Sequence, residues 1–187
     1  IDRSAMKLSE NSSAIKILVI GGSLGAKVLN DNLPLALAKL DAKPAQITHQ
    51  VGRAAIEQII ATYQANLVKN VQVVNFIDDM AAAYANADLI ICRAGASTVA
   101  EVAAAGIAAI FVPYPYAVDD HQTTNTRQLV AAGAAILLLQ AELSPAKLAE
   151  LISGLNYTIC QNMGEKARSL AILDSTQQIC QQIIEQL

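Results

Sequence analysis

The chain has 187 residues, 53% hydrophobic and 16% charged, a balance that excludes intrinsic disorder and supports a sizeable buried core. A net charge of −3 supplies no basic field for nucleic acid or an anionic membrane surface, so no nucleic-acid partner is expected. Five Tyr, two Phe and no Trp leave the core to Ala, Leu, Ile and Val, which suits helices packed closely on a parallel sheet. Cys92, Cys160 and Cys180 form no C-x-x-C pair and read as reduced thiols in a cytosolic setting. His49 and His121 lie far apart in sequence without a ligand pattern beside them, so neither a metal nor another cofactor is expected. No apolar run reaches the roughly 18 residues of a membrane span, and no signal peptide is visible. A first residue that is Ile1 and not Met is read as the mark of a piece of a longer protein.

Residues 1–14 are polar and aperiodic and read as a linker or arm, with residues 15–187 as one domain. A β-rich run, Ile15–Ile20, ends in Gly21-Gly22 and precedes a helix from Gly25 to Leu40. Ile47–Gln50 is the second strand, followed by a helix over Ala54–Ala65. Val71–Asn75 is the third, followed by a short helix from Asp78 to Asn86. Leu89–Cys92 leads to a helix from Ser97 to Ala105. Ala109–Val112 leads, through a loop with Pro113 and Pro115, to a helix from Gln122 to Ala132. Ala135–Leu139 is the sixth strand. Helices alone follow: Ser144–Ser153, with Ser144 as N-cap and Pro145 in its first turn, then Asn156 to the end. Strands alternating with helices indicate βαβ units with right-handed crossovers. The expected fold is α/β, a doubly wound, six-stranded parallel sheet of Rossmann-like kind. Ligands bind such sheets at the strand C-terminal ends.

Three segments fall at that edge. GGSLGA, Gly21–Ala26, places glycines and Ser23 before a helix N-terminus, a geometry open to an anion and equally to an ordinary tight turn. It lacks the G-x-G-x-x-G pattern. Where a dinucleotide fold carries its ribose-binding acid, the second strand ends in His49-Gln50, which argues against NAD.

Phe76–Gly106 comes next. Unpaired main-chain groups at Phe76 and Ile77 could read the edge of a planar base. Asp78 and Asp79 suit helix capping. In RAGAST, Arg93–Thr98, small residues open a helix whose amides can hold a diphosphate. Glu101 either accepts from vicinal ribose hydroxyls or completes a capping box with Thr98, and the residues alone leave both open. The third segment, Pro113–Asn125, stiffens a loop and carries His121 and Gln122, whose groups suit sugar hydroxyls, while Asp119 and Asp120 suit capping.

In this order, GGS-x-GA, H-Q, FIDDMA-x-AY, C-R-x-G-A-x-T-x-x-E and D-D-H-Q-x-x-N closely resemble the C-terminal domain of the MurG family of N-acetylglucosaminyltransferases, over Ile15 to about Ala149. The resemblance implies one half of a GT-B glycosyltransferase that binds UDP-N-acetylglucosamine (UDP-GlcNAc) and needs no metal. It implies that the Ile77 backbone reads uracil and Glu101 holds ribose. It also implies that Ala96, Ser97, Thr98, Val99 and Ala100 line the nucleotide and phosphate site, that Ser23 lies near the diphosphate, and that Gln122 contacts GlcNAc.

The acceptor lipid I, the catalytic base and the membrane-associating surface belong, by the same resemblance, to an N-terminal domain without counterpart here. The full enzyme would make lipid II for peptidoglycan, peripheral on the cytoplasmic face of the bacterial inner membrane, and this half alone would be inactive. A stand-alone nucleotide-binding module and a UDP-GlcNAc 2-epimerase are the competing readings.

Overall fold

A computed structural model of the chain describes residues 14–22, 25–53, 56–117 and 120–185. Six strands, β1 (Lys16–Ile20), β2 (Gln46–Gln50), β3 (Val71–Val74), β4 (Leu89–Cys92), β5 (Ala108–Phe111) and β6 (Ala135–Leu137), form one sheet in the order β3-β2-β1-β4-β5-β6. Every pairing is parallel. The order reverses between β1 and β4, which is the switch point where doubly wound sheets open a crevice. Register aligns Val74, Gln50, Ile20, Cys92, Phe111 and Leu137 along one edge.

Among the described residues, eight helices link or follow the strands: α1 (Lys27–Ala38), α2 (Ile56–Ala65), α3 (Met80–Ala85), α4 (Ala96–Ala105), α5 (His121–Ala131), α6 (Pro145–Ser153), α7 (Tyr157–Ser169) and α8 (Ser175–Glu185). Alternate residues of each strand feed opposite faces of the sheet. Ile17, Val19, Ile47, Ile91 and Ile110 join Leu29, Leu33 and Leu37 of α1 and Leu148 of α6 in one core. Leu18, Ile90, Cys92 and Phe111 join Tyr84 of α3 and Val99 and Val102 of α4 in the other. Each fully buried Leu, Ile or Phe contributes about 1.5–3 kcal/mol, so the two aliphatic layers hold the strand ends in place.

Several boundaries differ from the sequence reading. The first helix starts at Lys27, because Gly25 adopts φ +76 and Ala26 is an extended N-cap. Asp79, not Asp78, caps the third helix, its Oδ1 accepting from the Ala82 N–H at 2.8 Å. The fourth helix begins one residue earlier than expected, with Gly95 as N-cap. Asn156 accepts from the Ile159 N–H to start α7, which ends at Ser169, and α8 follows as a separate helix with no buried residue. Ala54 and Ala55 of the expected second helix lie outside the described residues.

Beneath α3 the faces of β2 and β3 carry polar residues beside Val74. Gln46, Thr48 and Gln72 line a groove of about 390 Å³ that rises to Phe76 and Ile77 at the strand ends.

Candidate functional site

Helix starts in this fold fall into two kinds, those capped by a side chain and those that are not. The helices α3, α6 and α7 begin with Asp79, Ser144 and Asn156, each accepting a hydrogen bond from a first-turn amide. The helices after β1, β4 and β5 begin with Ala26, Gly95 and Asp120, and none of these side chains caps its helix. An uncapped first turn leaves amide donors and the positive end of the helix dipole open to an anion. Two such termini, of α1 and α4, follow the two strands that flank the switch point.

In α4, Ala96 and Ser97 are exposed and Thr98 is half-buried. The Val99 N–H is committed to the Gly95 carbonyl at 2.9 Å, so the free amides are those of Ala96, Ser97 and Thr98. Farther along the helix, Glu101 is exposed and accepts from the Tyr84 hydroxyl through Oε2 at 2.8 Å. Tyr84 is buried, and burial together with the adjoining carboxylate holds its phenol well above the usual range. The Cys92 thiol is raised by the same two causes, burial first. Both groups therefore stay protonated at neutral pH. The hydroxyl of Tyr84 orients one carboxylate oxygen and leaves Oε1 without a partner among the described residues.

A capping box at Thr98 and Glu101 is excluded. The cap is Gly95, Thr98 is the third residue of the helix and Glu101 the sixth.

The loops around this turn are clamped from α5. Gln122 Oε1 accepts from the Ala94 N–H at 3.3 Å and the Tyr114 N–H at 2.9 Å, while Asn125 Nδ2 donates to the Ala94 carbonyl at 3.0 Å. Arg93 donates through Nη1 to the Val112 and Pro113 carbonyls at 3.1 and 3.0 Å, and its guanidinium lies 5.5 Å from the Tyr114 ring centroid. No carboxylate pairs with it among the described residues, so a half-buried cation stands beside the α4 turn. Burial lowers its pKa, yet a guanidinium keeps its charge in a folded protein.

A model of the glycosyltransferase family 28 C-terminal domain matches residues 16–186. The chain belongs to this family. Among relatives of this family 28 domain, one from Ralstonia nicotianae is named UDP-N-acetylglucosamine–N-acetylmuramyl-(pentapeptide) pyrophosphoryl-undecaprenol N-acetylglucosamine transferase. It is 51% identical over 177 residues, which cover 92% of this chain and 48% of the relative. A protein of the same name from Cupriavidus pinatubonensis is 52% identical over 168 residues, 89% of this chain and 47% of the relative.

The crystal structure of Acinetobacter baumannii MurG superposes with a TM-score of 0.88 at 46% identity, covering 95% of this chain and 51% of that one. Glycosyltransferase VinC, at TM-score 0.62 and 19% identity, covering 95% of this chain and 43% of that one, shares the fold. The chain thus spans about half the length of the curated relatives it matches.

The family 28 fold brings most of the expected site residues to one edge. Ile77 follows β3 half-buried, its side chain packed against the second core, and its N–H and C=O make no main-chain hydrogen bond among the described residues. Ala96, Ser97, Thr98 and Glu101 lie on the exposed start of α4, and Ala100 is exposed beside them. Val99 points into the core with its N–H occupied, so it offers a ligand no free group on either account. Gln122 has its oxygen engaged by two main-chain amides, which leaves its Nε2 as the remaining donor group of the side chain. Ser23 lies outside the described residues.

Sequence reasoning missed Tyr84, Asn125 and Gln50, although each sat inside a recognised motif. Gln50 is buried at the end of β2 and donates through Nε2 to the Gly22 carbonyl at 3.1 Å and the Asn75 carbonyl at 3.4 Å. Among the described residues no group of three or more His, Cys, Asp or Glu could hold a metal.

Proposed function

We propose that this chain is the donor-binding half of an N-acetylglucosaminyltransferase and holds UDP-GlcNAc at the edge of the sheet between β1 and β4. The observation that carries this reading is the uncapped start of α4, with the oriented carboxylate of Glu101 farther along the same helix. The amides of Ala96, Ser97 and Thr98 receive the diphosphate, with Arg93 adding positive potential nearby. Oε1 of Glu101 accepts from the vicinal ribose hydroxyls, and the open main chain of Ile77 pairs with the uracil edge. Gln122 Nε2 donates to a GlcNAc hydroxyl. Ser23 completes the diphosphate contacts from the glycine turn.

The names of the relatives support the transfer of GlcNAc to an undecaprenol-linked muramyl-pentapeptide acceptor, the step that turns lipid I into lipid II. In that reaction the muramoyl 4-hydroxyl displaces UDP with inversion. A base in the other half of the enzyme takes the hydroxyl proton, and the α4 amides stabilise the charge that grows on the departing diphosphate. Acceptor, base and contact with the cytoplasmic face of the inner membrane all belong to that other half. This chain alone binds donor and transfers nothing. No described helix is long and apolar enough to cross a membrane.

Titration calorimetry with UDP-GlcNAc, UDP-GalNAc, UDP and NAD tests the reading. UDP and UDP-GlcNAc should bind and NAD should not, and binding of NAD without UDP would refute it.

A further inference from the structure

Gln50 ends β2 with a side chain only 4% exposed, at the level where β1 and β3 also end. Its Nε2 lies between two carbonyls, Gly22 of the glycine turn after β1 and Asn75 of the segment after β3. Two carbonyls can only be met by the amino end of a carboxamide, so the network fixes which way the group points. The oxygen is then left buried with no partner among the described residues. A Leu or Met of similar volume would avoid that buried acceptor but would also remove the donor that the Gly22 and Asn75 carbonyls share, so the bridge made by Nε2 is what a Gln supplies at this position.

The surrounding contacts tie the same two segments together. Asn75 donates through Nδ2 to the Gly52 carbonyl at 2.9 Å, and Asn30 of α1 donates to the Val51 carbonyl at 3.2 Å. Gly25 packs its Cα directly on the Val51 carbonyl, with no room for a Cβ. The turns after β1, β2 and β3 thus form one lace, and Gln50 is the side chain that reaches both outer turns at once.

We infer that Gln50 is a positioning residue of the donor site, holding the glycine turn at a set distance from the Asn75–Ile77 segment so that one nucleotide is gripped at its phosphates and its base together. The inference rests on the donor-binding reading above. Two half-sites joined by one ligand reinforce each other only when their spacing matches the ligand, and slack between them removes that reinforcement. Gln50 touches neither half of the ligand; it acts through Gly22 and Asn75.

The signature is a loss confined to the joined ligand. On this chain, calorimetry with UDP, uridine and inorganic pyrophosphate compares wild type with Gln50→Leu. UDP affinity should fall about tenfold, the scale of one or two lost neutral hydrogen bonds, while each fragment changes less than twofold. Gln50→Glu supplies a second variant. Its carboxyl donates to one carbonyl when protonated and repels both when ionised, so UDP affinity relative to wild type at the same pH should rise as pH falls. If wild type binds no UDP, the donor reading itself fails and takes this inference with it. If wild type binds UDP and Gln50→Leu binds it within twofold, the inference is wrong and the donor reading stands. Parallel weakening of all three ligands would mean generic damage and also overturns it. Where Gln50→Leu does not fold, a flat relative pH profile for Gln50→Glu overturns it instead.

Discussion

Glu101→Gln separates the charge of this side chain from its place in the fold. Tyr84 is 4% exposed and donates to Glu101 Oε2 at 2.8 Å, so truncation to Ala would leave a buried hydroxyl unpartnered. The amide oxygen of Gln keeps an acceptor within reach and removes only the charge. A hydrogen bond to a charged group is worth about 1.5–3 kcal/mol and a neutral one about 1 kcal/mol, so the Tyr84 contact loses about 1 kcal/mol. Because Glu101 is exposed, screening places the true loss at or below that figure. For a chain of this length the melting temperature should fall by no more than about 4 °C.

Donor binding should respond more strongly. With two ribose hydroxyls donating to one carboxylate, losing the charge should weaken UDP by about 1.5–3 kcal/mol, or about 10- to 150-fold. Calorimetry with UDP and 2′,3′-dideoxy-UDP closes a cycle between protein and ligand. The dideoxy ligand should bind wild type and variant alike, giving a coupling of at least about 1.5 kcal/mol. If the variant weakens both ligands equally, Glu101 does not face the ribose and the reasoning fails.

Two predictions concern the fold that carries the site. His49 is fully buried, hydrogen-bonded through Nδ1 to the Tyr63 hydroxyl at 2.8 Å, and burial pushes its pKa down to about 4 from 6.5. The unfolded chain therefore takes up a proton near pH 6.5 that the folded chain refuses until about pH 4. Stability is full above pH 6.5 and falls by up to about 3 kcal/mol as pH drops through that window. Urea unfolding from pH 7.5 to 4.5 should show a shallower decline in His49→Phe than in wild type, and equal slopes would contradict the assignment. Gly25→Ala should cost about 2 kcal/mol or more in urea unfolding, because φ +76 opposes a Cβ and the Val51 carbonyl occupies its space. A loss under about 0.5 kcal/mol would mean the turn relaxes freely.

Local chemistry was enough to set the order of elements. Runs such as Leu89–Cys92 and Ala108–Phe111 are apolar at every position, as strands buried on both faces must be, and Ser144 with Pro145 marks a helix start with no help from the rest of the chain. The ordered motifs from Gly21 to Asn125 were likewise enough to point to the family. What a helix terminus is for was not local. Thr98 and Glu101 fit a capping box by spacing, and only the fold shows Gly95 as the cap and Tyr84, seventeen positions upstream, holding the carboxylate.

The same holds for Gln50, Gln122 and Asn125. Their partners lie 25–28, 8–28 and 31 positions away, across strands that become neighbours only when the sheet closes. Periodicity and capping act within a few residues of one another, so a sequence can state them. Hydrogen bonds between separate strand ends depend on sheet order and register, and these exist only once the β3-β2-β1-β4-β5-β6 arrangement has brought the turns together.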